Sequence, residues 1–148
     1  MVENFDKKEK LKGIIYPVPK NLIDNLFNNG KKVFIKYIVS NSTRLIKRNI
    51  VIFYESYGDK RLIGEGTIDN IEFLSPNEVI VKYKDILFIN ETQFYNYIKK
   101  SNKRNEKMLV ISLINLIKYK KPIHLKESIT MGGKYLTKEG YNKLISSQ

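Results

Sequence analysis

Apolar positions along the chain fall into short runs rich in β-branched and aromatic residues, interrupted by a few stretches of helical period. The run "LKGIIYPVPK" is closed by Pro17 and Pro19, which fix the backbone and lack ladder donors, so it predicts a short strand and a turn. In "PKNLIDNLFNNG", Leu22, Ile23, Leu26 and Phe27 share one helical face, with Pro19 suited to the first turn and Gly30 to the C-terminal cap. "KKVFIKYIV" and "NIVIFYES" read as strands, joined by a polar "SNSTRLIKR" that has room for a single helical turn. In "FINETQFYNYIKKSN", Asn90 is placed as N-cap, Gln93 completes a capping box, Ile89 staples onto Phe94, and Tyr97 and Ile98 continue the helical face. "SPNEVIVKYKD" reads as a turn and a strand, and "KMLVISLINLIKY" as a long buried strand. At the end, Gly132 and Gly133 mark a turn and Thr137 caps a short helix bearing Tyr141, Leu144 and Ile145.

"LIGEGTIDNI" invites a phosphate-loop reading, which the pattern rejects. A dinucleotide fingerprint needs three glycines spaced G-x-G-x-x-G between a strand and a helix, yet the third position is Asp69 and no helical repeat follows. Gly58 and Asp59 predict a hairpin turn before this strand. The shift of apolar phase between Ile68 and Ile71 predicts a bulge around Asp69 and Asn70. Gly64 and Gly66, two apart, lie on one face of a bent strand where another backbone can come close. Strands at short spacing with helices near the start, after the fifth strand and at the end do not alternate as β-α-β. They predict an α+β fold, a small mixed barrel with peripheral helices.

Composition adds bounds. The chain of 148 residues suits a single domain over 1–148, with residues 1–11 read as a flexible N-terminal lead. Without cysteine there is no disulfide framework, thiolate nucleophile or Cys-based zinc site, and His124 alone offers an imidazole, so neither a metal nor a cofactor is expected. No apolar run approaches the roughly 20 residues of a membrane helix and no secretory leader is legible, which points to the cytoplasm. The sequons at Asn41 and Asn90 are then accidental. A net charge of +12 favours a polyanionic partner. That inference is discounted because the chain lacks Ala and Trp and is crowded with Lys, Asn, Ile and Tyr, a pattern that AT-rich coding also produces. Only Arg44, Arg48, Arg61 and Arg104 are arginines, the residue best suited to bidentate phosphate contacts.

The segments "IIYPVPKNLID", "VFIKY", "VIFYES", "IGEGTI", "DILFINETQFYNYI" and "GGKYL", in this order from Gly13 to Leu136, resemble an archaeal family of uncharacterised proteins in the PUA-like superfamily, related in fold to the ASCH and EVE domains. The resemblance implies a PUA-like pseudobarrel with the glycine pair in a curved barrel strand. It also implies binding of RNA or modified nucleobases in a cleft between barrel strands and an inserted helix; some ASCH-like members hydrolyse amides of modified nucleosides. At Tyr37 and Asn49 the chain departs from the family pattern, which has proline and glycine there.

Candidate residues follow. Lys36, a polar residue inside an apolar strand, is placed to meet a phosphate or base carbonyl; Tyr54 and Ser56 share a strand face, where the ring can stack on a base. Glu55 points to the other face as an acceptor for a base edge, and "MGGKYL" offers Lys134 and Tyr135 beside two glycines. The basic run 99–107 is a solvated helix end or a backbone track, and a catalytic pairing of His124 with Ser40, Ser42 or Ser56 has no motif behind it. The leading expectation is a non-catalytic module that binds RNA or a modified nucleobase in a basic cleft, through Lys36, Arg44, Tyr54, Ser56, Lys134 and Tyr135. Two alternatives stand beside it. One is a small amidohydrolase acting on a modified nucleoside through Lys36 and Glu65; the other is a homodimeric or protein-binding adaptor, against a monomer that binds nucleic acid.

Overall fold

A computed structural model describes residues 11–37, 43–56, 58–101 and 107–146. Six strands form one sheet: β1 (Leu11–Pro19), β2 (Val33–Lys36), β3 (Ile50–Ser56), β4 (Arg61–Leu74), β5 (Met108–His124) and β6 (Lys134–Thr137). The helices are α1 (Lys20–Asn28), α2 (Pro76–Tyr83), α3 (Glu91–Ser101) and α4 (Lys138–Ser146), with a 3-10 turn at Lys84–Ile86. The sheet order is β2-β5-β4-β3-β1-β6, and β1–β3 is its parallel pair. No helix among the described residues is long and apolar enough to cross a membrane.

The sheet curls until β1 and β2, which are not hydrogen-bonded neighbours, meet through side chains. The Tyr16 and Phe34 rings are 5.4 Å apart, and Phe34 also packs on Phe53 at 5.8 Å and on Phe88 at 4.9 Å. The curl needs strongly bent strands, and the register of β4 against β5 shifts three times, at Leu62/Gly64, Glu65/Thr67 and Ile68/Asn70. The last shift is the bulge that the apolar phase predicts. A Cβ on Gly64 would stand 2.5 Å from the Ile117 carbonyl oxygen and 2.6 Å from Phe27 Cζ, which explains the missing side chain there.

Strand alternation divides the apolar residues between two clusters. Ile14, Tyr16 and Val18 of β1 and Val51 and Phe53 of β3 face the larger cluster, inside the curl, with α1 and α3 against it. Ile15, Ile50, Ile52 and Tyr54 face a smaller one, which Tyr119 joins and which Tyr141 and Leu144 of α4 cover.

Several expectations need correction. Residues 76–83 form a helix, not a strand: the β-branched Val79, Ile80 and Val81 suggested a strand, but Ser75 and Glu78 form a reciprocal capping box, with Pro76 at the first turn. Val79 is buried while Val81 is exposed, a helical alternation rather than a one-sided strand. The segment after Gly133 pairs with β1 as β6 instead of running straight into the last helix. Pro19 is the N-cap of α1, one position ahead of its first turn. The described part of the β2–β3 connection, from Thr43, holds bends and a turn with Arg48 at φ 77°, and no helical turn. Asn49 organises that turn: its side-chain oxygen accepts from the Ile46 N–H at 2.9 Å and its amide donates to the Leu11 carbonyl at 3.3 Å. The capping box of α3 forms as expected, with Asn90 and Gln93 exchanging two hydrogen bonds of 2.8 Å.

Candidate functional site

The open seam of the curled sheet is a cleft of about 310 Å³. One wall is the end of β1, Pro17 to Pro19; the facing wall is β2, Phe34 to Lys36; the start of α3 closes one side through Gln93 and Tyr97. The lining is predominantly apolar, and among the described residues Lys36 is its one charged residue. In place of the expected basic cleft, the described residues give an apolar cleft with a single cation.

That cation has an unusual setting. Lys36 is 9% exposed, and its Nζ lies over the Tyr16 ring, 5.2 Å from the centroid. Burial disfavours the charged form and lowers its pKa below the ordinary lysine value. Among the described residues no carboxylate pairs with it. The Tyr16 phenol is in turn pushed up, first by burial and then by its neighbours Tyr135 and Tyr97. The hydroxyl oxygen of Tyr97 accepts the Tyr37 N–H at 2.9 Å. Away from the cleft lining, the Arg44 guanidinium lies over the exposed Tyr135 ring at 4.9 Å. Tyr135 pairs with Ile14, two residues from Tyr16 along β1, so the Lys36–Tyr16 and Arg44–Tyr135 contacts lie near one another on the same strand.

Of the candidate residues, Arg44 and Tyr135 are brought together, with Lys36 near them through Tyr16, two residues along β1 from the Ile14 that pairs with Tyr135. The others are not. Tyr54 is buried in the smaller cluster, on the sheet face opposite Lys36, and Ser56 follows it on that face. Lys134 opposes Ile15 in the β1–β6 register and is ion-paired with Glu127 at 2.6 Å. Glu55 is buried and held by Arg61, which donates to both carboxylate oxygens at 3.1 and 3.2 Å.

Glu65 and Lys36 do not converge. Glu65 opposes Ile52 on the smaller-cluster face, where the Tyr119 and Tyr141 hydroxyls donate to its Oε1 at 2.8 and 2.9 Å. Tyr119 is pushed up by burial and then by this carboxylate, and Tyr141 is pushed up to about 12 for the same reasons in the same order. His124 is exposed at the end of β5, opposite Arg61. Ser40, Ser42 and residues 102–106 of the basic run lie outside the described residues. Among the described residues no group of three His, Asp or Glu side chains is placed to hold a metal ion.

Gln93 and Tyr97 line the cleft and Tyr16 supports Lys36 beneath it, although the sequence pattern points only to capping, packing and a strand for these three. Gln93 carried a signal: a capping-box residue has one end of its amide occupied and the other end free to face outward.

A family described as a domain of unknown function, DUF365, matches residues 11–138. The chain belongs to the DUF365 family. An uncharacterized protein of Methanocaldococcus jannaschii is 34% identical to this DUF365 chain over 103 residues, which cover 64% of the chain and 95% of that relative. Among solved structures, ASCH from Zymomonas mobilis aligns with a TM-score of 0.76 at 18% identity, covering 91% of this chain and 94% of its own. The N-terminal domain of Staphylothermus marinus McrB aligns with a TM-score of 0.63 at 15% identity, covering 94% and 96%. The DUF365 chain therefore has the α+β, PUA-like fold that its motifs resemble; at these identities the likeness concerns fold alone.

Proposed function

We propose that this DUF365 protein is a non-catalytic module that binds RNA by seating a nucleobase, plain or modified, in the cleft between β1, β2 and α3. The carrying observation is Lys36 on the cleft wall over Tyr16, with Arg44 stacked on Tyr135 near the same stretch of β1. An apolar cleft accepts a ring, and the exposed Arg44 guanidinium meets the phosphate of the same or the next nucleotide. The net charge of +12 supplies long-range attraction to a polyanion without specifying the base.

The test is fluorescence anisotropy with short single-stranded and hairpin RNAs and DNAs at two salt concentrations, comparing wild type with Lys36→Met and Arg44→Ala. The expected result is affinity that falls with salt, is weakened in both variants, and loses about one unit of salt slope in Arg44→Ala. Salt-independent binding, or no binding to any nucleic acid, overturns the reading.

A further inference from the structure

Among the described residues, the polar side chains that line the cleft all offer a donor to an occupant. Lys36 donates and cannot accept. Gln93 has its carbonyl oxygen occupied by the Asn90 N–H, which leaves its NH2 group for a ligand. Tyr97 has its oxygen occupied by the Tyr37 N–H, which leaves its own proton to donate. Among the described residues no aspartate or glutamate lines the cleft.

The opposite wall has the reverse character. The Ile15 carbonyl points to the β6 side of β1, since a Cβ on Gly133 would stand 2.7 Å from it. Backbone groups alternate along a strand, so the carbonyls of Pro17 and Pro19 project from the same edge. β6 begins at Lys134, opposite Ile15, so among the described residues no strand pairs with that edge from Pro17 onward. Prolines carry no N–H, so this wall presents acceptors only.

A buried lysine on the wall of an apolar slot, with no carboxylate partner among the described residues, is costly unless the occupant completes it. We propose that the preferred occupant is a planar nucleobase bearing a ring carboxylate, with its carboxylate on Lys36 and a ring N–H toward the carbonyls of Pro17 and Pro19. This rests on the reading of the cleft as the base site and adds the class of base. The slot volume of about 310 Å³ matches one such ring system, at the small end of ligand pockets.

Calorimetric titration of the full chain with orotate, uracil and benzoate tests the assignment. Orotate keeps both the carboxylate and the ring N–H, uracil lacks the first, and benzoate lacks the second. Orotate is expected to bind at least about tenfold more tightly than either, in line with a charge-assisted pair in a dry site. It should also displace bound RNA in the anisotropy assay. Lys36→Met should bring orotate down to the affinity of uracil while the thermal melt shows a folded protein. Equal binding of orotate and uracil, or an orotate affinity untouched by Lys36→Met, overturns the inference. RNA binding that orotate neither matches nor competes with overturns it and leaves the RNA reading standing; absence of binding to RNA and orotate alike removes both.

Discussion

Replacing Lys36 by methionine should make the protein more stable while removing its cleft chemistry. Lys36 is buried and its ammonium has the Tyr16 ring as its recognised partner, with no carboxylate among the described residues. Effective desolvation of a buried ion costs several kcal/mol, and a partly desolvated cation–π contact offsets about 0.5–2 kcal/mol of it. Methionine has similar reach, no charge and a favourable sulfur contact with an aromatic ring. A net gain of about 1–2 kcal/mol follows, worth roughly 2–8 °C in Tm for a domain of this size. The sign with pH is fixed by linkage. Burial holds the folded-state pKa below the ordinary 10.5, so below that folded value both states are protonated and the penalty is complete. As pH rises from the folded value toward 10.5 the unfolded chain binds more protons than the native one, and wild-type stability recovers relative to the variant. Circular-dichroism melts of both proteins at pH 7 and pH 10 provide the assay. A variant that is less stable at pH 7, or whose advantage is the same at both pH values, would refute the claim that an uncompensated charge sits in this cleft.

Four further outcomes follow from named contacts. Tyr119→Phe removes one of two hydroxyl donors to the buried Glu65 and should cost about 1.5–3 kcal/mol in urea unfolding at neutral pH. Gly64→Ala forces a Cβ against the Ile117 carbonyl oxygen and Phe27, and should cost at least about 1–3 kcal/mol or abolish soluble expression. Ser75→Ala breaks the capping box of α2 and should cost about 1 kcal/mol, read as a lower urea midpoint with an unchanged m-value. Arg44→Ala should weaken RNA binding whereas Lys134→Ala should not, because the lysine is ion-paired with Glu127; equal losses in the two would show that charge alone governs binding.

The barrel class was legible because bent strands leave local marks: the glycine pair, the phase shift at Asp69 and Asn70, and the capping box of Asn90 and Gln93 each depend on neighbours in sequence. The helix at Pro76–Tyr83 was misread although its Ser75 and Glu78 signature was present, because three β-branched residues in a row outweighed it; in the structure the cap fixes the helix start and tertiary contacts need only Val79. β6 escaped because a four-residue strand has too few positions for alternation to show, and its pairing with β1 depends on a partner more than a hundred residues earlier. For the site, Lys36 stood out as a polar residue in an apolar strand. Tyr16, Gln93 and Tyr97 did not, since the face each one presents is set by how β1, β2 and α3 meet across the seam.

The same alternation accounts for the separation of Lys36 from Glu65. Lys36 follows Phe34 on the face turned to the larger cluster, while Glu65 opposes Ile52 on the other face, so the sheet itself stands between ammonium and carboxylate. Glu65 has a structural occupation in its place. Its neighbours Gly64 and Gly66 let β5 and its side chains close over one face, and on the other its carboxylate receives Tyr119 from β5 and Tyr141 from α4. The final helix is thereby tied to the middle of the sheet through a buried acceptor that two phenols satisfy. A nucleophile-activating role for Glu65 would require breaking these bonds and crossing the sheet, whereas Lys36 needs no rearrangement to meet a ligand in the open seam. That difference in cost is why the cleft reading rests on Lys36 without Glu65.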